Sequence, residues 1–321
     1  MKGTYELGFM IAPWARTAWE LDNNKKGFDA IIMAAGSLMA RYSQKVGCIT
    51  NPDKDFLVAV DDLMSLDTLF WAAAKSKDTR MHEAALCHAK TSQRYHVRAD
   101  HSTATVVVFD PENGDINRGY ADGSCWSRGQ AWAITGFAQT YQWTKDSSFL
   151  ETSKACADYF VEHLPATAIP SWDFQAPGNG TQPTDTIAAI IASYGMLLIH
   201  EIETAAGRPS VYLEHALKII EAVCAFHVND PVQFVSARDS IETASLGSSS
   251  YQEMIAADME NGAKTIFNGA TMNNHKFAPC RWANQGLVYA DYFSLLVGNK
   301  LFDMGISVRP LLSLSGHSIS A

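Results

Sequence analysis

Apolar residues recur at i, i+3, i+4 and i+7 in six long stretches, at 27–44, 78–97, 128–146, 147–164, 185–205 and 210–228. A repeat of about 3.6 residues lays one apolar stripe along a helix, so each stretch predicts an amphipathic helix with one buried face. Strict alternation is scarce. The segment "TATVVVFDP" (103–111), closed by the turn residues of "PENGD", is the one good strand candidate. The pattern predicts an all-α protein.

These helices fall into pairs. Short turns, "TKDSSF" and "AAGRPS", follow first members of pairs, whereas the long stretch "PATAIPSWDFQAPGNGTQPT" (165–184) follows a second member. Short loops on one side and long loops on the other suit a toroid or a solenoid of helical hairpins, and the lack of a strict repeat favours the toroid. In a toroid the long loops gather at one end and form a cup. Residues 229–280 are less periodic and more polar, yet no linker divides the chain, so 1–321 reads as a single domain.

Composition narrows the function classes. With 321 residues, 47% of them hydrophobic, the chain can bury a large core. A net charge of −9 argues against nucleic acid and polyanionic polysaccharide as partners, because both demand basic patches. A small anionic ligand fits, since a single arginine holds a carboxylate. No run of about eighteen apolar residues and no signal-peptide pattern is seen, so no membrane association and a cytoplasmic location are expected. The six scattered cysteines read as reduced structural thiols. His82 and His88 are six apart and do not share a helix face, and neither HExxH, GxGxxG nor GxxxxGK[ST] occurs. No metal and no cofactor are expected. "GSSSYQ" (247–252) lacks the spacing of a nucleophile elbow.

One stretch concentrates chemistry. "GYADGSCWSRGQAW" (119–132) packs Asp122, Trp126, Arg128 and Trp132 at what reads as the start of a helix, with Ser127 as candidate N-cap. From the residues alone, Arg128 and Trp126 fit either a ligand pocket or an ion-paired, packed core. Together with "GFAQTYQWTKDSSFL", "PSWDF" (170–174), "VDDLMSLDTLFWAA" (60–73), "YELGFM" (5–10), "DTIAAIIASYGML" (185–197) and "LVYADYF" (287–293), this stretch resembles the unsaturated glucuronyl hydrolases of glycoside hydrolase family 88. The resemblance covers most of the chain and is weakest over 206–280.

The resemblance implies an (α/α)6 barrel and a reaction in which water adds across the C4=C5 double bond of an unsaturated uronyl sugar, after which the hemiketal releases the neighbouring sugar. It places the general acid/base on Asp61, with Asp62 as the choice one register further on, and a second carboxylate on Glu6. Trp126, Arg128, Trp172, Asp122, Thr105 and Tyr292 become candidates for substrate contact. Two adjacent acids ahead of a helix also fit a cap and a first-turn charge. Asp291 and Tyr292 equally fit packing roles, and His275, Arg281 and Trp282 are weaker site candidates.

Four departures qualify these expectations. Glu6 replaces a shorter aspartate. Thr105 stands where the resemblance implies a histidine, and threonine is no acid or base near neutral pH. A turn carrying a histidine–glutamine pair is shortened in "ENGDINRGYADGS". The helical hairpin expected before "YELGFM" has no counterpart, so the barrel is either open there or covered by a partner or a second copy of the chain. Two alternatives therefore stand beside the hydrolase: a barrel reassigned to an apolar or polycyclic small molecule, with a mostly apolar pocket, and a non-catalytic small-molecule binder.

Overall fold

The computed structural model describes residues 6–50, 56–117, 123–176, 182–231, 234–236, 255–257, 262–274 and 280–306. Among them are nine α-helices: α1 (Leu7–Asp22), α2 (Lys25–Met39), α3 (Leu63–Ser76), α4 (Thr79–Tyr95), α5 (Ser127–Thr144), α6 (Ser147–Glu162), α7 (Thr186–Ala205), α8 (Tyr212–Phe226) and α9 (Val288–Asp303). The first eight form four hairpins, and the odd-numbered helices pack in succession, α1 on α3, α3 on α5, α5 on α7 and α7 on α9.

Three hairpin turns share one local code. Asn23, Lys77 and Lys145 adopt the left-handed conformation, with φ of 52°, 60° and 56°, and end the first helix of each pair. The next residue then caps the second helix: Asn24 accepts from the N–H groups of Lys26 and Gly27, Asp78 from Arg80, and Asp146 from Ser148. A left-handed residue reverses the chain and an adjacent Asn or Asp satisfies orphan donors, so two residues suffice for the turn.

Close approach holds the inner helices together. A Cβ on Gly136 of α5 would lie 2.6 Å from the Cβ of Leu63 in α3, and one on Gly195 of α7 would lie 2.8 Å from Cγ2 of Ile134 in α5. Only glycine admits these contacts. The fully buried rings of Phe70, Phe137, Phe149 and Phe160 fill the space between inner and outer helices. Helix α7 is the one described helix long and apolar enough to cross a bilayer, yet 78% of its apolar window is packed inside the fold. Its composition is that of a core helix.

Strands are more numerous than the pattern predicts. Besides β4 (Val106–Phe109), which falls within 103–111, there are β1 (Tyr42–Ser43), β2 (Cys48–Ile49), β3 (Phe56–Ala59), β5 (Ile116–Asn117), β6 (Phe234–Ser236) and β7 (Ile255–Ala257). All pair antiparallel, as β1–β2, β3–β4–β5 and β6–β7. Each has two to four residues, too few for a period of two to show. The stretch 27–44 is helical only to Met39, because Tyr42–Ser43 pairs with Cys48–Ile49 across a turn containing Gly47 at φ 74°.

Candidate active site

Since the short turns lie at one end of the hairpins, the other end carries the N-termini of α1, α3, α5, α7 and α9. Their unpaired N–H groups and positive dipole ends favour an anion there. Glu6 precedes α1, Asp61 sits in the 3-10 turn Val60–Asp62 that feeds α3, Arg128 is the second residue of α5, Asp185 caps α7 and Tyr289 is the second residue of α9.

Asp61 is the electrostatic centre of this group. Burial pushes its carboxyl up to about 6, the Glu6 charge adds to the rise, and Arg128 opposes it. The Tyr289 hydroxyl is likewise raised, first by burial and then by Glu6, with Arg128 again opposing. Four side chains from four helix starts therefore act on one another. A carboxyl poised near neutrality beside a second carboxylate can give a proton and have it restored.

Asp62 points elsewhere. It is buried and accepts from the Ala59 N–H at 3.1 Å, and burial with the neighbouring Asp61 charge raises its carboxyl well above the ordinary range. Its role is to cap the turn that presents Asp61. The main chain also brings Thr105 to the site, for its carbonyl accepts from Val60 N at 2.9 Å. A Cβ on Gly129 would meet Thr105 Oγ1 and Trp126 Cε3 at 3.5 Å each, so Thr105 and Trp126 both pack at the start of α5.

Arg128 differs from a simple ligand-facing arginine. It is 5% exposed, and its Nε and Nη2 donate to the two carboxylate oxygens of Asp185 at 3.0 and 3.1 Å. Nη2 donates again to the Thr271 carbonyl at 2.7 Å, and the guanidinium lies 5.0 Å from the Trp126 ring. The structure thus shows the ion-paired, packed arrangement of this residue.

The remaining candidates are spread more widely. Trp172 is half-buried beside the start of α5, its carbonyl accepting from the N–H and hydroxyl of Ser127 at 3.0 and 3.1 Å and its Nε1 donating to Gln182 at 3.3 Å. Ser127 is consequently inside α5 and is not its N-cap; that position is Trp126, whose side chain makes no cap. Tyr292 lies apart from Asp61, one turn further along α9, facing Asp67 and Arg16, whose ion pair spans 2.8 Å. Asp291 anchors a loop by accepting from the N–H groups of Ile266 and Phe267. Arg281 and Trp282 are exposed. Asp122 and His275 lie outside the described residues. Sequence reasoning missed Tyr289, Asp185 and Thr271. Tyr289 was within reach, being three residues before Tyr292 and so on the same helix face.

Helical hairpins whose inner helix starts bring paired carboxyls and an arginine together define a helical-barrel protein with an acid/base group at one end. The chain is a divergent relative of unsaturated glucuronyl hydrolases. It is 32% identical over 206 residues to the unsaturated glucuronyl hydrolase of Bacillus sp. (strain GL1), covering 61% of this chain and 55% of that one. Against the Formosa agariphila unsaturated glucuronyl hydrolase it is 30% identical over 233 residues, covering 68% and 57%. An unsaturated chondroitin disaccharide hydrolase of Streptococcus pyogenes serotype M1 is 32% identical over 208 residues, covering 62% and 51%. The chain thus spans about half the length of the curated relatives it matches. No family model matches. Among solved structures, an unsaturated glucuronyl hydrolase specific for heparin superposes with a TM-score of 0.78 at 25% identity, over 95% of this chain and 76% of that one. The Bacillus sp. GL1 enzyme superposes at 0.75, with 23% identity, over 97% and 76%. The all-α, (α/α)6-type barrel expected from the sequence is the fold observed, with five inner helices among the described residues.

Proposed function

We propose that the chain hydrates the C4=C5 double bond of an unsaturated uronyl residue at the end of a short oligosaccharide. The observation that carries this reading is Asp61, a carboxyl held up to about 6 beside Glu6 where inner helices begin. Asp61 gives its proton to C4, leaving an oxocarbenium at C5. Water attacks C5, and Glu6 takes the proton that the water loses. The C5 hemiketal then opens to a C5 ketone and leaves a hemiacetal at C1, whose collapse to the aldehyde breaks the C1–O bond and frees the neighbouring sugar as an alcohol, and exchange with solvent restores the two carboxyls. The substrate carboxylate is attracted by the helix N-termini and Arg128, and Trp126 offers an aromatic face to the sugar.

A reassigned barrel would surround Asp61 with apolar side chains. Instead Glu6, Arg128 and Tyr289 face it, which favours a charged, hydroxylated ligand. The relatives, named as unsaturated glucuronyl and chondroitin disaccharide hydrolases, and a solved unsaturated glucuronyl hydrolase with dGlcA-Glc-Rha-Glc support an oligosaccharide of this type. We also propose self-association, since Met10 and Trp14 on α1 and Leu295 and Phe302 on α9 are more than half exposed, a cost that burial against a second copy removes. Sedimentation of the wild type against a Trp14→Glu, Phe302→Glu variant tests it; a monomer in both discards it.

The decisive experiment follows the ultraviolet absorbance of unsaturated disaccharides prepared from chondroitin, heparin and pectin. The wild type should remove the absorbance and Asp61→Asn should lower the rate at least about a hundredfold, the scale of a lost general acid. A folded wild type that leaves all three unchanged overturns the reading.

A further inference from the structure

The salt bridge between Arg128 and Asp185 has no part in the scheme above. Asp185 is fully buried, and its carboxylate serves three masters: the Ile187 N–H at the start of α7, Arg128 Nε and Arg128 Nη2. The loop carbonyl of Thr271 takes a further Nη2 hydrogen, and the Thr271 hydroxyl is tied to the Thr184 carbonyl at 2.7 Å. A guanidinium has five N–H donors in a rigid plane. With Nε and both hydrogens of Nη2 assigned, the two on Nη1 remain.

We propose that Asp185 is a positioning residue, which grips Arg128 along the Nε/Nη2 edge so that only Nη1 is offered to the carboxylate of a bound sugar. This rests on the uronyl reading for the ligand, although the grip itself does not. A carboxylate held by one nitrogen is bound monodentately, so its second oxygen is left to the helix N-termini. The buried Asp185 charge also offsets that of Arg128. The groups that act on Asp61 are Glu6 from α1, Arg128 from α5, its neighbour Asp62 and Tyr289 from α9, and Asp185 reaches Asp61 only through Arg128. Freed of Asp185, Arg128 would draw the Asp61 proton off more strongly.

The test compares wild type with Asp185→Asn, which keeps the shape and the N-cap of α7 but removes the charge. Titration of the Asp61 carboxyl, followed by carbon NMR without substrate, should move to lower pH by about one unit, the scale of one opposite charge at short range. The alkaline limb of kcat/KM should move with it, and KM should rise on the order of tenfold from loss of alignment. A lowered Tm with an unmoved Asp61 titration overturns the proposal and leaves Asp185 a helix cap. A readout free of mutation guards against a variant that does not fold. In the free wild-type protein the Arg128 Nη1 and Nη2 signals should be separate in nitrogen NMR, with slow Nε–H exchange; a single averaged Nη signal overturns the grip. An inactive wild type would sink the uronyl reading while both NMR results stood.

Discussion

Asp61 and Asp62 are neighbours of one type, yet their surroundings give them different tasks. Asp62 spends its carboxylate on the Ala59 N–H, and Asp61 is left to face Glu6 and Arg128. This division was not legible in "VDDLM": adjacent acids before a helix fit a cap or a catalyst, and the choice depends on a 3-10 turn that places them a third of a turn apart. A consequence follows for pH. The proton donor must be protonated, so kcat/KM should fall about tenfold per unit above about pH 6. Replacing Glu6 by Gln removes a charge that raises Asp61, so the falling limb should shift to lower pH. An unshifted limb in Glu6→Gln would mean that Glu6 is too distant to act as the second carboxylate.

At the scale of elements, helix spans were legible because a long apolar stripe is a redundant signal. The predicted 185–205 became Thr186–Ala205, and 147–164 became Ser147–Glu162. The short strands were not, since pairing partners such as Phe56–Ala59 and Val106–Phe109 lie some fifty residues apart and carry no joint pattern. The hairpin turns allow a test of what does hold these elements. Lys77 is exposed with φ 60°, a conformation that costs a residue with a Cβ about 1 kcal/mol. Lys77→Gly should therefore stabilise the protein by up to about that amount in urea unfolding, and Lys77→Val should destabilise it. The inner contact behaves oppositely. Gly136→Ala puts a methyl where Leu63 already sits and should cost roughly 1–3 kcal/mol. If Gly136→Ala unfolds at the wild-type midpoint, α3 and α5 are not packed as closely as described.

For the whole molecule, two sets of buried groups pull stability in opposite directions as pH falls. His88 in α4 and His96, which caps its C-terminus, are fully buried, with His88 Nδ1 accepting from the Ile49 N–H at 3.2 Å and His96 Nε2 3.1 Å from the Val58 carbonyl. Burial pushes His88 down to about 3 and His96 down to about 4, from 6.5 in the unfolded chain. Between pH 6.5 and 4 the unfolded state takes up both protons and the native state does not, so each histidine withdraws on the order of 1.4 kcal/mol per unit over that window. Asp61 does the reverse. Its native carboxyl binds a proton below about 6, whereas the unfolded one waits until 3.8, so it adds stability between those values, and Asp62, also raised, acts in the same sense. Wild-type stability should thus change less between pH 6 and 4 than either set alone would dictate. A His88→Gln, His96→Gln variant starts weaker at pH 8, having lost two fitted rings, but should gain on the wild type steadily as pH falls from 6.5 to 4. Asp61→Asn should lose ground over the lower part of the same range. Urea midpoints at four pH values measure both slopes, and parallel curves for wild type and the histidine variant would mean that the two rings titrate in the native protein as they do in water.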